Sequence, residues 1–211
     1  MNVHNVTADA ETFTCNAYLV TGSTTTLVDA GAVSGVADTI AEYTDTLDRV
    51  VLTHQHGDHI AELDSVTDAF EPDCYAYSDH PQCTHTIEDG DRIDIGDEVF
   101  EVVYTPGHAA DHVSFMSETT IFTGDVVVHD DGAFDDGSFG RTDMPGQSRE
   151  RLIESIRTLL ERLPDGGGDN AESSVEHMYS GHGGPFHGDV RTVIERALER
   201  AERREPKYPD E

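Results

Sequence analysis

Lysine is all but missing from this 211-residue chain: Lys207 is the sole one, and every other basic residue is arginine. Nucleic-acid affinity rests on lysine and arginine neutralising phosphates, so the scarcity argues against a large phosphate-binding surface, though a small basic patch stays open. Long apolar runs are missing too, and none approaches the roughly 20 residues of a membrane-spanning helix. The opening "MNVHNVTADAETF" lacks a basic stretch followed by an apolar one, so no secretory leader is expected. Cysteine is scarce. Cys15, Cys74 and Cys83 are odd in number and show no C-x-x-C spacing, which predicts neither a disulfide framework nor a cysteine metal site. A soluble protein of a reducing cytoplasm, without a membrane partner, is the expectation.

What is abundant is negative charge. With 13 Lys+Arg against 43 Asp+Glu, the formal net charge is -30. Hydrophobic content is a lean 36%, yet well-patterned strands and helices run throughout, which speaks for a folded chain. Such a chain repels itself in dilute buffer, where screening extends over about 30 Å at 0.01 M salt, and much less at 1 M, where the length is about 3 Å. In this balance the sequence resembles proteins of salt-accumulating halophiles; an acidic protein of an ordinary cytosol is the alternative.

The length fits one domain over residues 1–211. Short β-rich runs are expected at Val3–Val6, Asn16–Val20, Thr24–Asp29, Arg49–Leu52, Asp73–Tyr77, Arg92–Ile95, Val99–Tyr104, Val113–Met116 and Thr120–Phe122. Helices are expected after Ser34, from His59 through Ala69, after an N-cap at Ser148, and along a stripe from Val190 to Ala201. Pro164–Ser174, "PDGGGDNAESS", reads as a flexible polar loop. Strands and helices mixed in this way predict a layered α/β arrangement.

The chemistry is concentrated in "VVLTHQHGDHIAEL", Val50 to Leu63. His54, His56, Asp58 and His59 are all metal-type ligands, crowded directly after a strand, with Gly57 allowing the chain to turn. A complete ligand shell needs more. His108 in "YTPGHAADHVSF", Asp125 in "IFTGDVV" and His182 in "MYSGHGGPF" each follow a strand and stand beside glycine. His4, His80, His85, His129 and His177 lack a motif, and His187 is left open.

This set resembles the metallo-β-lactamase superfamily. His54, His56, Asp58 and His59 match its H-x-H-x-D-H signature, and "TLVDAG", "TPGH", "TGD" and "SGHG" match the other motifs in order, from about Val3 to Phe186. The resemblance implies a four-layered αββα sandwich and a binuclear metallohydrolase using a metal-bridged hydroxide. His54, His56 and His108 would hold one divalent ion and Asp58, His59 and His182 the other, with Asp125 bridging. Asp58 would also be catalytic, and Asp29 structural. Zinc is the default metal, with iron or manganese as alternatives.

Within the superfamily, "GRTDMPG" (Gly140–Gly146) resembles the region after the bridging aspartate in glyoxalase II-like enzymes and related persulfide dioxygenases. The acidic insertion "HDDGAFDDGS" is longer than usual there. Glutathione recognition through C-terminal helices, as in glyoxalase II, is not expected, and a different thiol or acyl group is the expectation. The expected substrate is a small-molecule thioester or acyl ester. A nuclease or phosphodiesterase, and a mononuclear iron persulfide dioxygenase, are the alternatives. Arg141 is read as the partner of a substrate carboxylate or of a nearby aspartate, and His112 as a substrate-side or a solvated loop residue. Oligomeric state is left open.

Overall fold

A computed structural model describes residues 1–164 and 174–205. Two compact units divide the chain, Met1–Val102 and the part from Val103 onward. In the first, β1 (Asn2–Asn5), β2 (Tyr18–Thr21), β3 (Thr26–Val28), β4 (Arg49–Val51), β5 (Asp73–Ala76) and β6 (His85–Thr86) form a six-stranded sheet in chain order. The pairs β1–β2 and β2–β3 are antiparallel, and the remaining three are parallel. Parallel neighbours need a crossover between them. Helix α1 (Val36–Ala41) lies between β3 and β4 in the chain, and α2 (Gly57–Ile60) and α3 (Leu63–Phe70) lie between β4 and β5. Leu27, Val50 and Cys74 from the strands pack with Val36, Ile40, Leu63 and Val66 from the helices, all buried.

Strands β7 (Arg92–Ile95) and β8 (Glu98–Tyr104) pair antiparallel. From Val103 onward come β9 (Val113–Met116), β10 (Thr120–Gly124), α4 (Arg149–Arg162), β11 (His177–Ser180), β12 (Phe186–His187) and α5 (Val190–Glu202). The second sheet has the order β12-β11-β10-β9-β8-β7. Its β10–β11 pair is parallel, while β9–β10 and β11–β12 are antiparallel. The class is mixed α/β with two mixed sheets, as expected. Leu152, Ile156 and Leu159 of α4 and Val193, Ile194 and Ala197 of α5 are buried with Ile121 and Met178. Ser148 caps α4 as its sequence context predicts, its Oγ accepting from the Arg151 N–H at 3.2 Å.

Two expectations need revision, and a third falls largely beyond the described residues. The helix expected from His59 through Ala69 is broken into α2 and α3. The carbonyls that would carry it onward are taken: His59 O accepts from Ala30 N at 2.8 Å, and Asp58 O from Cys15 N at 3.3 Å. Second, Cys74 and Cys83 form a disulfide, while the buried Cys15 stands outside it. The chain after β5 turns back so that Thr84 N donates to Cys74 O at 2.9 Å, which brings the two sulfurs together. An odd count says nothing about a local pair, so the thiols no longer argue for a reducing compartment. Third, the Pro164–Ser174 loop lies largely outside the described residues. Among those described, no helix is long and apolar enough to cross a membrane.

Candidate metal centre

In the first unit the loop after β4 carries four of the expected ligands. His56 sits in extended backbone immediately before the four-residue α2, and His59 N donates to His56 O at 2.9 Å, closing a tight turn. This turn gathers the rings: His54 lies 4.5 Å from His56 and 4.0 Å from His59 between centroids. Asp58 Oδ2 is 3.8 Å from His59 Nε2. His54 and His59 are buried, whereas His56 and Asp58 are partly exposed.

Asp29 organises this loop. It follows β3 as His54 follows β4, two parallel neighbours with Val28 opposite Val51, so both residues emerge from the same carboxyl edge. Its φ of 59 is left-handed, a conformation that aspartate's short polar side chain tolerates better than most. The carboxylate accepts from Thr53 N at 2.8 Å, from Thr53 Oγ1 at 2.7 Å and from His59 Nδ1 at 2.8 Å. A carboxylate only accepts here, so His59 donates through Nδ1, and the neutral ring offers Nε2 as a lone pair. Because the Thr53 hydroxyl is already spent on Asp29, the 3.1 Å contact from His54 Nδ1 to Thr53 Oγ1 makes Nδ1 the donor. In the neutral ring His54 Nε2 is then a lone pair as well. Neutral imidazole with its other nitrogen hydrogen-bonded is the form that ligates metals, so these rings fit the group.

The second unit presents the other three expected ligands just beyond strands. Asp125 follows β10 and His182 lies two residues beyond β11, and because these strands are parallel, with Gly124 opposite Ser180, both leave the same edge. Asp125 Oδ2 stands 3.3 Å from His108 Nε2 and 3.4 Å from His182 Nε2. His108 Nδ1 contacts the Arg141 carbonyl at 3.0 Å, and a carbonyl cannot donate. His108 therefore donates through Nδ1 and turns Nε2 towards Asp125; in the neutral ring that nitrogen is a lone pair, which a metal cation between the two would satisfy.

"GRTDMPG" has a structural meaning that its sequence did not disclose. A Cβ on Gly140 would collide with the Asp125 carbonyl and the His108 ring, so only glycine lets the loop pass. The Arg141 carbonyl then orients His108. Its guanidinium forms two hydrogen bonds to Asp143, at 2.8 and 2.7 Å, and these hold the Asp143 carboxyl down from 3.8 to about 2. Of the two readings for Arg141, the nearby aspartate is the partner seen.

His112 differs from both of its expectations, for it is fully buried. Its Nε2 accepts from Asp125 N at 2.9 Å, so the proton is on Nδ1, which donates to Thr105 Oγ1 at 2.8 Å. Thr105 Oγ1 is 3.1 Å from Ser114 Oγ, which donates to Thr123 O at 3.3 Å. Every proton in this relay has a fixed direction, and its origin is the backbone of Asp125. His112 positions that carboxylate; a fully buried ring does not meet a substrate. The four-residue spacing from His108 was the one available signal, and spacing alone does not separate burial from exposure.

Comparison with known proteins bears on the fold and on the segment that carries the first loop. Residues 10–80 match the Metallo-beta-lactamase superfamily model. The fold as a whole is shared with solved structures, among them ETHE1 from Myxococcus xanthus (TM-score 0.73, 23% identity, 100% of this chain and 94% of that one). The chain thus shares the fold of that structure, and the family match covers its first third. A second structure, TTHA1623 in a di-iron-bound form, is 25% identical, with a TM-score of 0.65 over 87% of this chain and 93% of that one. Among curated proteins, a hydroxyacylglutathione hydrolase 2 of Vibrio vulnificus is 33% identical over 105 residues, 48% of this chain. The match spans about two fifths of that relative's length, 41%.

Proposed function

We propose that the chain is a metal-dependent hydrolase acting on a thioester or small acyl ester, in the manner of its hydroxyacylglutathione hydrolase relatives. The observation that carries the metal reading is the convergence of His108 Nε2 and His182 Nε2 on one carboxylate oxygen, Asp125 Oδ2, at 3.3 and 3.4 Å. His54, His56 and His108 would hold one divalent ion, Asp58, His59 and His182 a second, and Asp125 both; a similar chain is known in a di-iron form. When bound, such ions polarise a carbonyl and lower the pKa of water from 15.7 towards about 7. Asp29 and Arg141 O keep the imidazoles of His59 and His108 in the ligating tautomer. Asp58, partly exposed beside His59, is the carboxylate through which we assign orientation of the attacking water. A thiolate leaves with a pKa of about 8.5, so little acid assistance is needed, in keeping with a loop that offers no separate general acid. Imidazole and carboxylate donors together suit zinc, iron or manganese. The substrate is a small molecule, and a cytoplasmic location goes with this reading.

The test is elemental analysis of protein purified without added metal, followed by assay on a panel of thioesters, lactones, phosphodiesters and persulfides. Two divalent ions per chain and thioester turnover, both lost in His54→Ala and Asp125→Ala, are expected. One iron per chain with oxygen uptake on a persulfide, or phosphodiester cleavage without thioester turnover, would replace it.

A further inference from the structure

Outside the loops described above, a second pair of imidazoles stands ready-made. His177 on β11 and His187 on β12 are directly opposite one another in the antiparallel register. Directly opposed residues share a sheet face and bring their side chains together. Their Nδ1 atoms are 2.8 Å apart, with ring centroids 5.0 Å apart and planes at 73°. Tyr179, two residues along the same face, meets the His187 ring edge-on at 5.9 Å. His187 is exposed and His177 partly so, so both rings are open to solvent rather than locked in a core.

We infer that His177 and His187 form an auxiliary surface site for a late first-row divalent ion, of the Cu2+, Ni2+ or Zn2+ class. Without metal the rings share one proton, an Nδ1–H of one donating to Nδ1 of the other. With metal that proton moves to Nε2 of its own ring, so that both neutral imidazoles ligate through Nδ1. Metal–imidazole bonds of about 2.0–2.1 Å put two cis nitrogens about 2.9–3.4 Å apart. The rings therefore need to open by only a few tenths of an ångström. Cis nitrogens at this spacing match tetragonal Cu2+ best, the ion that the affinity order also favours. A pair of imidazoles without a carboxylate selects against magnesium and calcium. The net charge of -30 draws divalent cations towards the surface as a whole. The consequence is local: β11 and β12 bracket the turn that carries His182, so an ion held across them clasps that hairpin at its base.

The experiment uses the full chain without a histidine tag, loaded with zinc and desalted. It is titrated with CuCl2 and followed by calorimetry and electron paramagnetic resonance. The wild type is expected to take up one additional Cu2+ with a two-nitrogen signature and to gain in thermal midpoint. His177→Gln and His187→Gln should each lose that equivalent and the gain, while resident metal content and hydrolytic turnover before copper addition stay unchanged. Uptake of the same additional Cu2+ by both variants, or none by the wild type, overturns the proposal. Neither outcome depends on which reaction the protein catalyses.

Discussion

Asp29 accepts from three donors at once, Thr53 N–H, Thr53 O–H and His59 Nδ1–H. An asparagine there keeps the left-handed backbone but sets an NH2 group against one of those donors. Asp29→Asn is therefore expected to lower metal affinity by about 10–100-fold, the usual cost of losing such a partner. Metal retained per chain across a chelator titration is the measurement, and wild-type retention would refute the positioning role. His112 makes a different prediction. Replacing it by phenylalanine fills the volume but strands the Asp125 N–H, at a cost of about 1–3 kcal/mol for a buried unsatisfied donor. Urea denaturation of the metal-free protein reads that loss without interference from ligand binding. At this scale the seven proposed ligands were legible in sequence because residue type and spacing specify them. The partners of their second nitrogens were not: Arg141 O and Asp125 N are backbone atoms, and no residue letter encodes what a backbone atom touches.

Helix α4 illustrates the next scale. Its cap and its stripe are local properties, and Ser148 and Leu152–Leu159 behave as their spacing predicts. What positions the helix is Gly107, whose φ of 139 is hostile to side chains and whose Cβ would run into the Leu152 backbone. Gly107 O also accepts from Ser148 N at 2.9 Å, fastening the residue before His108 to the helix cap. Gly107→Ala should cost at least about 1–3 kcal/mol through overpacking and lower metal occupancy with it. A thermal midpoint and metal content equal to wild type would sink this account. The elements missed in sequence were short. β6 and β12 have two residues each, too few to show any periodicity. The break between α2 and α3 arises from hydrogen bonds to Ala30 and Cys15, remote in sequence.

The whole molecule is governed by its charge. With -30 spread over 211 residues, like-charge repulsion opposes the compact state, and salt relieves it. Between about 0.1 M and 1 M KCl the screening length falls from about 10 Å to about 3 Å. The urea midpoint is expected to rise steeply over that range, and a midpoint independent of KCl would dispose of the argument. NaCl should act as KCl does, because the effect is screening and not specific binding.

Composition, ligand types and the order of the motifs were determined by the sequence alone, because each depends on residue identity and short-range spacing. From these follow the acidic character, the mixed α/β class and the candidate ligand set. Tertiary structure decided the pairing of Cys74 with Cys83, the burial of His112, the choice of Asp143 as the partner of Arg141, and what the Nδ1 atoms of His54, His59 and His108 bind. Each of these is settled by an atom brought close through folding, and a hydrogen bond or a disulfide has no existence before the two ends of it meet.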